Sequence, residues 1–538
     1  DSYFLRTGES FIDKSRMYVI QAQHGADLGT RTRLTYGADW FRTVPSNEGT
    51  VSGAYEDIDT MTEPGVYLQT DTDLSIKWAL TLAGRVDYHD KLESAFFSPR
   101  AAVVFKPRSQ HNFRATYNRA FKSPASNQLF GDILGVRDIF GLGGLGSEFG
   151  VSGATDLRAQ GMITGFTFPR GASGLPQYTS PFASDPNRRF DLNDPTMTAV
   201  MWDVARFATV SGLAENLVAQ GFLTPDAVEA VSAALELVLP TTVPAVLNQL
   251  KVLDLQSQQF FPVSDVSDQE PLGITRTETV ELGYQGLVGR GTVVAIDGYW
   301  SRVRDFVGPL FVGTPNVFLE AGTLNAALLN ALPALLEANP QAAAALLALD
   351  EAPLFGGRNG TAAEEIATIV STGVAGAIPF GTVTPTEGFD PGAIVLMRRN
   401  FGDISLLGLD VSVMQYLSAS LQVGGSVALV SDDQFRSDGG VVALNAPARK
   451  FAGFVRYSRG AWSGQGRVRG ASGFPVRSDV YLGTTSAYSV VDLAIAYRVR
   501  AGSRVSLSVQ NVLDRRHREF VDVAEIGRLG VLRLEVGI

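Results

Sequence analysis

The sequence has no cysteine and only four histidines among its 538 residues. The absence of cysteine excludes disulfide frameworks, thiolate metal sites and cysteine nucleophiles. The histidines are scattered, and none has the spacing of a pair of metal ligands: His24, His89, His111 and His517. The sequence therefore predicts no metal site, and nothing in it requires a cofactor.

Long apolar runs and basic blocks are also missing. Although 45% of the residues are hydrophobic, no uninterrupted run reaches the length of about 18 residues that a membrane-spanning helix needs. The formal net charge is −10, and no run of lysine and arginine is dense enough to neutralise a row of phosphates. These absences exclude a helical membrane protein and argue against a nucleic-acid partner.

Enzyme motifs are scarce as well. The stretch GLGGLG at 141–146 has the spacing G-x-G-x-x-G, but it neither follows an apolar strand nor opens a helix with an acidic residue beyond it. We therefore expect a flexible loop there. No serine lies in a nucleophile elbow. Asp57 and Asp59 are expected to be solvated acids, with a calcium site in loop 43–63 as the alternative. We do not expect an enzyme.

The sequence is rich in stretches in which apolar and polar residues alternate. In KWALTLAGRVDYHD, residues 77–90, large apolar side chains occupy every second position, which is the period of a β-strand. The same pattern surrounds a glycine-rich turn in 278–300 and recurs through the C-terminal third. Strands of soluble sandwiches run about five or six residues, whereas these run about ten or more, enough for a tilted strand to cross a bilayer.

Because a closed β-barrel is the remaining way to satisfy every backbone polar group in lipid, the sequence predicts an all-β fold, a transmembrane antiparallel β-barrel. We count about sixteen strands, the first of them at 2–7. Running the last strand down to a periplasmic C-terminus places the long connections on the extracellular side. The expected division is barrel strands, a first insertion, a barrel hairpin, a second insertion and the C-terminal strands: 1–121, 122–272, 273–312, 313–391 and 392–538.

Both extracellular insertions are expected to contain helices. In the first, Thr224 is a candidate cap, with Pro225 at the first helical position. In the second, Thr361 and Glu364 fit a capping box. The apolar helical stretches are expected to pack as a cap over the barrel mouth. The alternative is a lid or a docking surface for an extracellular protein partner.

Several blocks resemble a known family. FSPRAAVVFKPRSQHNFRATYNRAFKSPASNQLF, residues 97–130, looks like the mid-barrel signature of TonB-dependent outer-membrane receptors: a strand bearing S-P-R, a short turn, and a strand ending in R-A-F-x-S-P. The blocks NAPARKFAGFVRYS, YSVVDLAIAYRV, SVQNVLDRRHREF and IGRLGVLRLEVGI resemble the family's C-terminal strands in the same order. The family usually ends in an aromatic residue, whereas this chain ends in Ile538.

The resemblance implies a barrel of about twenty-two strands around an N-terminal plug, in the outer membrane of a Gram-negative bacterium. It also implies TonB-dependent active uptake of a scarce ligand: a siderophore, a cobalamin-like cofactor, an oligosaccharide or a peptide. On this interpretation the plug and the first strands lie upstream of Asp1, and the partners are outer-membrane lipid, the plug, the TonB complex and the ligand. The alternatives are a passive porin of about sixteen strands and a structural or assembly partner.

Candidate ligand-binding residues are polar residues of the lumen and of the extracellular rim. If Phe113, Ala115 and Tyr117 face lipid, the side chains between them face inward. The lumen candidates are Arg85, Asp87, Arg114 and Asn118. The rim candidates, suited to anionic ligands, are Arg119, Lys122 and Arg398.

Overall fold

The main element is an antiparallel sheet of fifteen strands, each paired with its neighbours in chain order. The computed structural model describes residues 2–3, 8, 10–255, 257–350, 359–437, 440–478 and 481–537. The sheet strands, β1 to β15, are Arg16–Leu28, Thr32–Val44, Met61–Asp73, Trp78–His89, Ser94–Arg108, His111–Lys122, Thr275–Val288, Thr292–Arg304, Ile404–Ser418, Leu421–Val430, Arg449–Arg459, Trp462–Ala471, Tyr488–Arg500, Ser503–Gln510 and Leu529–Val536.

One face of this sheet is apolar although none of the described residues covers it. On β4, Leu82 and Val86 are 48% and 42% exposed, while the polar side chains alternate onto the other face. Pairing keeps the faces in register across strands, because Val86 lies opposite Val66 on one side and Phe97 on the other. An apolar surface of this extent without protein cover is a surface for lipid. We call it the outer face.

Aromatic residues lie at both ends of the outer face. Near the short turns, Trp78 stacks on Phe105 with ring centroids 4.4 Å apart. At the opposite end, Tyr88 and Trp300 are 42% and 41% exposed. Trp78 and Tyr88 bound the apolar part of β4, which covers about 25 Å of membrane thickness if the strand tilts as barrel strands do. This arrangement is typical of the two aromatic girdles of a membrane barrel.

The connections differ in length at the two ends of the sheet. At one end the strands are joined by turns of two to four residues. The long connections all lie at the other end: 45–60, 123–274, 305–403, 431–448, 472–487 and 511–528.

The start of the sheet differs from the prediction. We expected a first barrel strand at 2–7, but Ser2–Tyr3 pairs with Ser10–Phe11 in a separate two-stranded ladder, and residues 4–7 lie outside the described residues. The sheet begins at Arg16, which gives fifteen strands in place of about sixteen. Within the described part of the chain, β1 and β15 are its two edges.

The two long insertions fold together into one unit, which we call the cap. Helices α1 to α7 are Ser126–Phe130, Gly143–Glu148, Pro195–Ala219, Val228–Val238, Ala321–Ala338, Pro340–Asp350 and Ala363–Thr368, the last continued by the π-helical turn Ile369–Ala375. Short 3-10 turns lie at Gly53–Tyr55 and Pro225–Ala227. Among the described residues no helix combines the length and the apolar character needed to span a membrane.

Short strands join the two insertions. Asn248–Asp254 of the first insertion pairs with Asn316–Leu319 of the second, and Leu157–Gln160 pairs with Ile394–Met397. The remaining short strands outside the sheet are Asp132–Val136, Gln177–Tyr178, Phe190–Asp191, Gln259–Val263, Phe306–Val307, Phe311–Val312, Gly381–Thr382, Asn400–Phe401, Gln434–Ser437, Gly440–Ala443, Phe474–Ser478 and Tyr481–Thr485.

A large hydrophobic core runs through both insertions of the cap, and a smaller second cluster lies in the same insertions. From the first insertion, Trp202 is 1% exposed, and its indole Nε1 donates to Pro240 O at 2.9 Å. From the second, Leu324 and Leu328 are 0% exposed in the same cluster. Helix α4 of one insertion packs on α6 of the other. The cap is therefore held by contacts between insertions that are far apart in the chain.

Local predictions in the cap have mixed outcomes. Thr224 is the cap residue of the turn Pro225–Ala227, which leads into α4, although its side chain makes no capping hydrogen bond. The capping box of Thr361 and Glu364 does not form, because α7 begins at Ala363 and Ala362 occupies the cap position.

The flexible loop expected at 141–146 is wrong, because α2 begins within it. The Asp138 carboxylate accepts hydrogen bonds from the backbone N–H groups of Leu142 and Gly143, at 3.0 and 2.9 Å, and so satisfies the start of the helix. Gly146 lies so close to the backbone of Gly153 that a side chain there would overlap it. The glycines thus allow close packing of a short helix.

Candidate functional site

The inner face of β2 to β4 carries a charged triad of Arg85, Asp39 and Asp87. Arg85 Nη1 and Nη2 each donate to Asp39 at 2.7 Å, and Arg85 Nε donates to the two Asp87 oxygens at 2.8 and 2.9 Å. Gly65 lies against them, and a side chain there would overlap Arg85 and Asp87. The predicted candidates Arg85 and Asp87 therefore meet, and Asp39 completes the set.

A second charged cluster lies on the inner face of β6 to β8. Arg114 Nη2 contacts Glu281 and also Asp297, the latter at 3.0 Å. As in the triad, one arginine is held between two carboxylates. Each cluster therefore has one more negative than positive charge, and its guanidinium is already engaged. Such clusters suit neutral or cationic groups of a ligand better than a free anion.

A third cluster lies at the cap end of β12 and β13, and the sequence did not reveal it. Arg469 Nη1 donates to Glu519 at 2.8 Å, and the rings of Tyr488 and His517 stack 4.7 Å apart. Although burial opposes its ionisation, hydrogen bonds from Arg469 and His517 hold the pKa of Glu519 below its ordinary value. Connection 511–528 folds back to place Glu519 beside strands that precede it in the chain.

The rim candidates occupy different environments. Lys122 is the exposed last residue of β6. Arg398 is 9% exposed, and its Nη1 donates to Gly308 O at 3.3 Å. It is thus part of the packed structure beside the cap. Asn118, a lumen candidate, lies opposite Arg100 and Thr279.

Arg119 differs from the prediction, because it lies on the outer face. It follows Tyr117 by two positions on β6, and Tyr117 is exposed on that face. Its Nε and Nη2 donate to Phe97 O at 3.2 and 3.1 Å, with the guanidinium 6.0 Å from the centre of the Phe97 ring. Arg119 therefore faces away from the lumen, and its binding of an anionic ligand at the rim stays a prediction.

The cap contains an apolar cleft between α3 and the π-helical turn. The cleft has a volume of about 680 Å³, and Leu213 and Leu217 from α3 and Ile369 and Val374 from the turn lie on its walls. π-helical turns are frequent at functional sites. The cleft is a candidate for apolar contacts with a ligand at the outer end of the sheet.

Across the described ranges, no group of three or more histidine, aspartate or glutamate side chains is arranged to hold a metal ion. Asp59, expected to be solvated, is instead 1% exposed. Neither of its carboxylate oxygens has a hydrogen-bond partner among the described residues. Burial raises the pKa of Asp59 above its ordinary value.

Comparison with known proteins finds a family match for the first six strands of the sheet. Residues 1–163, which contain β1 to β6, match the family described as TonB dependent receptor-like, beta-barrel. These six strands are therefore similar to barrel strands of TonB-dependent receptors. This result confirms the resemblance and the fold class predicted from the sequence. The description of the family names a receptor and no enzymatic activity.

One solved structure shares this fold, and two others are similar at lower scores. A mutant of the ferric enterobactin receptor PfeA from Pseudomonas aeruginosa, in complex with enterobactin, has a TM-score of 0.51 at 13% identity, over 98% of this chain and 55% of that one. The siderophore receptor PirA from Acinetobacter baumannii has a TM-score of 0.48 at 10% identity, over 97% and 54%. The FrpB iron transporter from Neisseria meningitidis has 0.46 at 10%, over 97% and 55%.

The chain thus spans about half the length of these solved structures. At such identities the likeness concerns the fold alone. No curated protein matches the chain.

Proposed function

We propose that the protein is a TonB-dependent outer-membrane transporter and receptor that takes up a scarce ligand. The observation that carries the proposal is that the sheet combines an apolar outer face with a folded cap at one end. The outer face is apolar over about the thickness of a bilayer, and both long insertions pack into one cap beyond that face. A diffusion pore gains little from a folded cap of this size, whereas a receptor gains a binding surface.

The open edges of the sheet support a larger barrel. Backbone N–H and C=O groups at the free edges of β1 and β15 have no partner strand among the described residues, and unpaired groups of this kind are costly in lipid. We propose that further strands and a lumen-filling plug complete the barrel. The inner-face clusters of Arg85 and Arg114 would then form hydrogen bonds with the plug or with the ligand.

A ferric siderophore is the first ligand to test, because the PfeA structure contains enterobactin and has the same type of barrel. Within such a ligand, the two inner-face clusters would contact neutral or cationic hydrogen-bonding groups in preference to anionic ones. Cobalamin-like, oligosaccharide and peptide ligands are the other classes proposed.

The decisive experiment is uptake by cells that express the full-length gene in a host lacking its own receptors. Radiolabelled ferric siderophore, cobalamin, oligosaccharide and peptide are offered at nanomolar concentrations. We expect saturable uptake of one class, lost when the cap residues 196–255 and 321–350 are removed together. Non-saturable entry of all four classes would support the alternative, a passive porin.

A further inference from the structure

The outer face carries a group of arginines directly beyond its apolar part, at the end that bears the cap. On β6 to β8, Tyr117, Val280 and Trp300 lie side by side and are all exposed. The next outward positions toward the cap include four arginines, which we call the outer arginine cluster: Arg119, Arg276, Arg302 and Arg304.

The cluster has more positive than negative charge. Arg304 Nη2 lies 3.7 Å from Glu278, and Arg302 pairs with Asp403. Glu278 lies directly opposite both Arg119 and Arg302, but among the described residues Arg119 and Arg276 form no salt bridge. Four arginines against two carboxylates leave a net charge of +2 on the outside of the barrel.

Two of these cations face each other. Arg276 on β7 lies directly opposite Arg304 on β8. Like charges at directly opposite positions destabilise a sheet unless another group compensates for them. The Arg304 Nε is buried and has no hydrogen-bond partner among the described residues. An anion between the two strands would relieve the repulsion and accept this unused N–H group.

A small cleft adjoins the cluster. It has a volume of about 260 Å³, with Arg119 and Arg276 on its walls and Phe97, Phe121 and Ile274 beside them. The cleft thus combines guanidinium groups with apolar and aromatic surface. Toward the membrane, the surface continues into the exposed side chains of the outer face.

We propose that the outer arginine cluster is a binding site for a phosphate-bearing lipid of the outer leaflet. Guanidinium groups bind phosphate with paired hydrogen bonds. The arginines would bind the phosphates of the headgroup, and the acyl chains would lie along Tyr117, Val280 and Trp300. The occupant is a lipid and not free phosphate, because the site continues directly into the exposed apolar side chains of the outer face.

The test uses the full-length protein in a neutral detergent. The probes are a diphosphorylated glucosamine-disaccharide lipid (lipid A), its dephosphorylated form and inorganic phosphate. Lipid retained by the folded protein is counted by native mass spectrometry. The main variant is R276Q/R304Q, and R276K/R304K keeps the charge. The matched control is R449Q, because Arg449 is a single exposed arginine at the same end of β11.

We expect the wild type and R449Q to retain the diphosphorylated lipid, and R276Q/R304Q to lose about tenfold in affinity, as expected when charge-assisted hydrogen bonds are removed. The lysine variant should lose less, because it keeps the charge and loses only the paired geometry. Wild-type affinity should fall with added salt.

The proposal would be overturned if R276Q/R304Q retained as much diphosphorylated lipid as the wild type. It would also be overturned if the wild type retained as much of the dephosphorylated lipid. Displacement of the lipid by equimolar inorganic phosphate would show a simple anion site and would also contradict it. If R276Q/R304Q does not fold to a heat-resistant barrel, the single variants R119Q and R276Q replace it, and unchanged retention by both is then the contradicting result. Ligand uptake is not measured, so this test is independent of the proposed function.

Discussion

At the scale of single residues, Leu82 and Ala83 are neighbours on β4 but face different surroundings. Leu82 is 48% exposed on the outer face, near the middle of its apolar part, whereas Ala83 lies on the inner face. We expect L82R to lower the free energy of unfolding in liposomes by about 2–4 kcal/mol, because the guanidinium enters the bilayer centre. A83R should have a small effect. Equal urea midpoints for the two variants would contradict the membrane assignment.

The triad of Arg85 gives a second prediction at this scale. Asp39, with its side chain 6% exposed, depends on Arg85 for both of its charge-assisted bonds. Arg85→Met leaves this carboxylate buried without a cation, so we expect a loss of about 3 kcal/mol of stability. Removing Asp39 as well, in R85M/D39L, should restore part of the loss. Urea unfolding measures both, and a double variant no more stable than R85M would contradict this account.

Asp59 predicts a pH dependence. Burial raises the pKa of Asp59 in the folded state above its ordinary value of 3.8. The folded connection 45–60 therefore binds a proton more tightly than the same connection when it is unfolded. The loop therefore gains stability as pH falls through the raised pKa, and the gain is complete below 3.8. We expect amide exchange in residues 50–58 to be slower in D59N than in the wild type at neutral pH. Below the ordinary aspartate pKa of 3.8 the two proteins should exchange at the same rate. Faster exchange in D59N at neutral pH would contradict the prediction.

Alternation predicts the face of a residue but not its partner across the sheet. It placed Arg85 inward, yet the partner Asp39 lies on another strand, and only the register of pairing brings the two together. Arg119 is a different case. The alternation that directed Tyr117 to lipid also directs Arg119 outward, so its position on the outer face could have been predicted.

At the scale of elements, the long strands were predictable because lipid on one face imposes strict alternation over ten or more residues. The short elements were not. Helix α2 depends on the Asp138 carboxylate and on close packing of Gly146 against Gly153, and neither contact is visible in a local pattern. The pairing of Asn248–Asp254 with Asn316–Leu319 joins two insertions across a barrel hairpin, which periodicity within either insertion does not reveal.

The shared core of the cap predicts the effect of a deletion. Removing 196–255 takes away α4, on which α6 packs, and the strand that pairs with Asn316–Leu319. We expect the barrel to assemble and to resist heat, because the deletion removes no strand of the sheet. Residues 321–350 should lose their structure and become sensitive to protease added to intact cells. The matched control is L237A, since Leu237 is 60% exposed on α4. Protection of 321–350 in the deletion would contradict the shared core.

At the scale of the whole molecule, transport and diffusion predict different energy requirements. A TonB-dependent transporter draws on the inner-membrane proton gradient, whereas a porin conducts without it. The folded cap over one end and the open edges of the sheet both favour a gated, completed barrel over a permanently open channel. Uptake by cells expressing the full-length gene should therefore stop when a protonophore collapses the gradient, while the amount of protein in the outer membrane stays the same. The purified protein should give no steady conductance in a planar bilayer. Steady conductance without an energy source, together with uptake that survives the protonophore, would establish the porin, because passive flow through the lumen needs neither the cap nor the gradient.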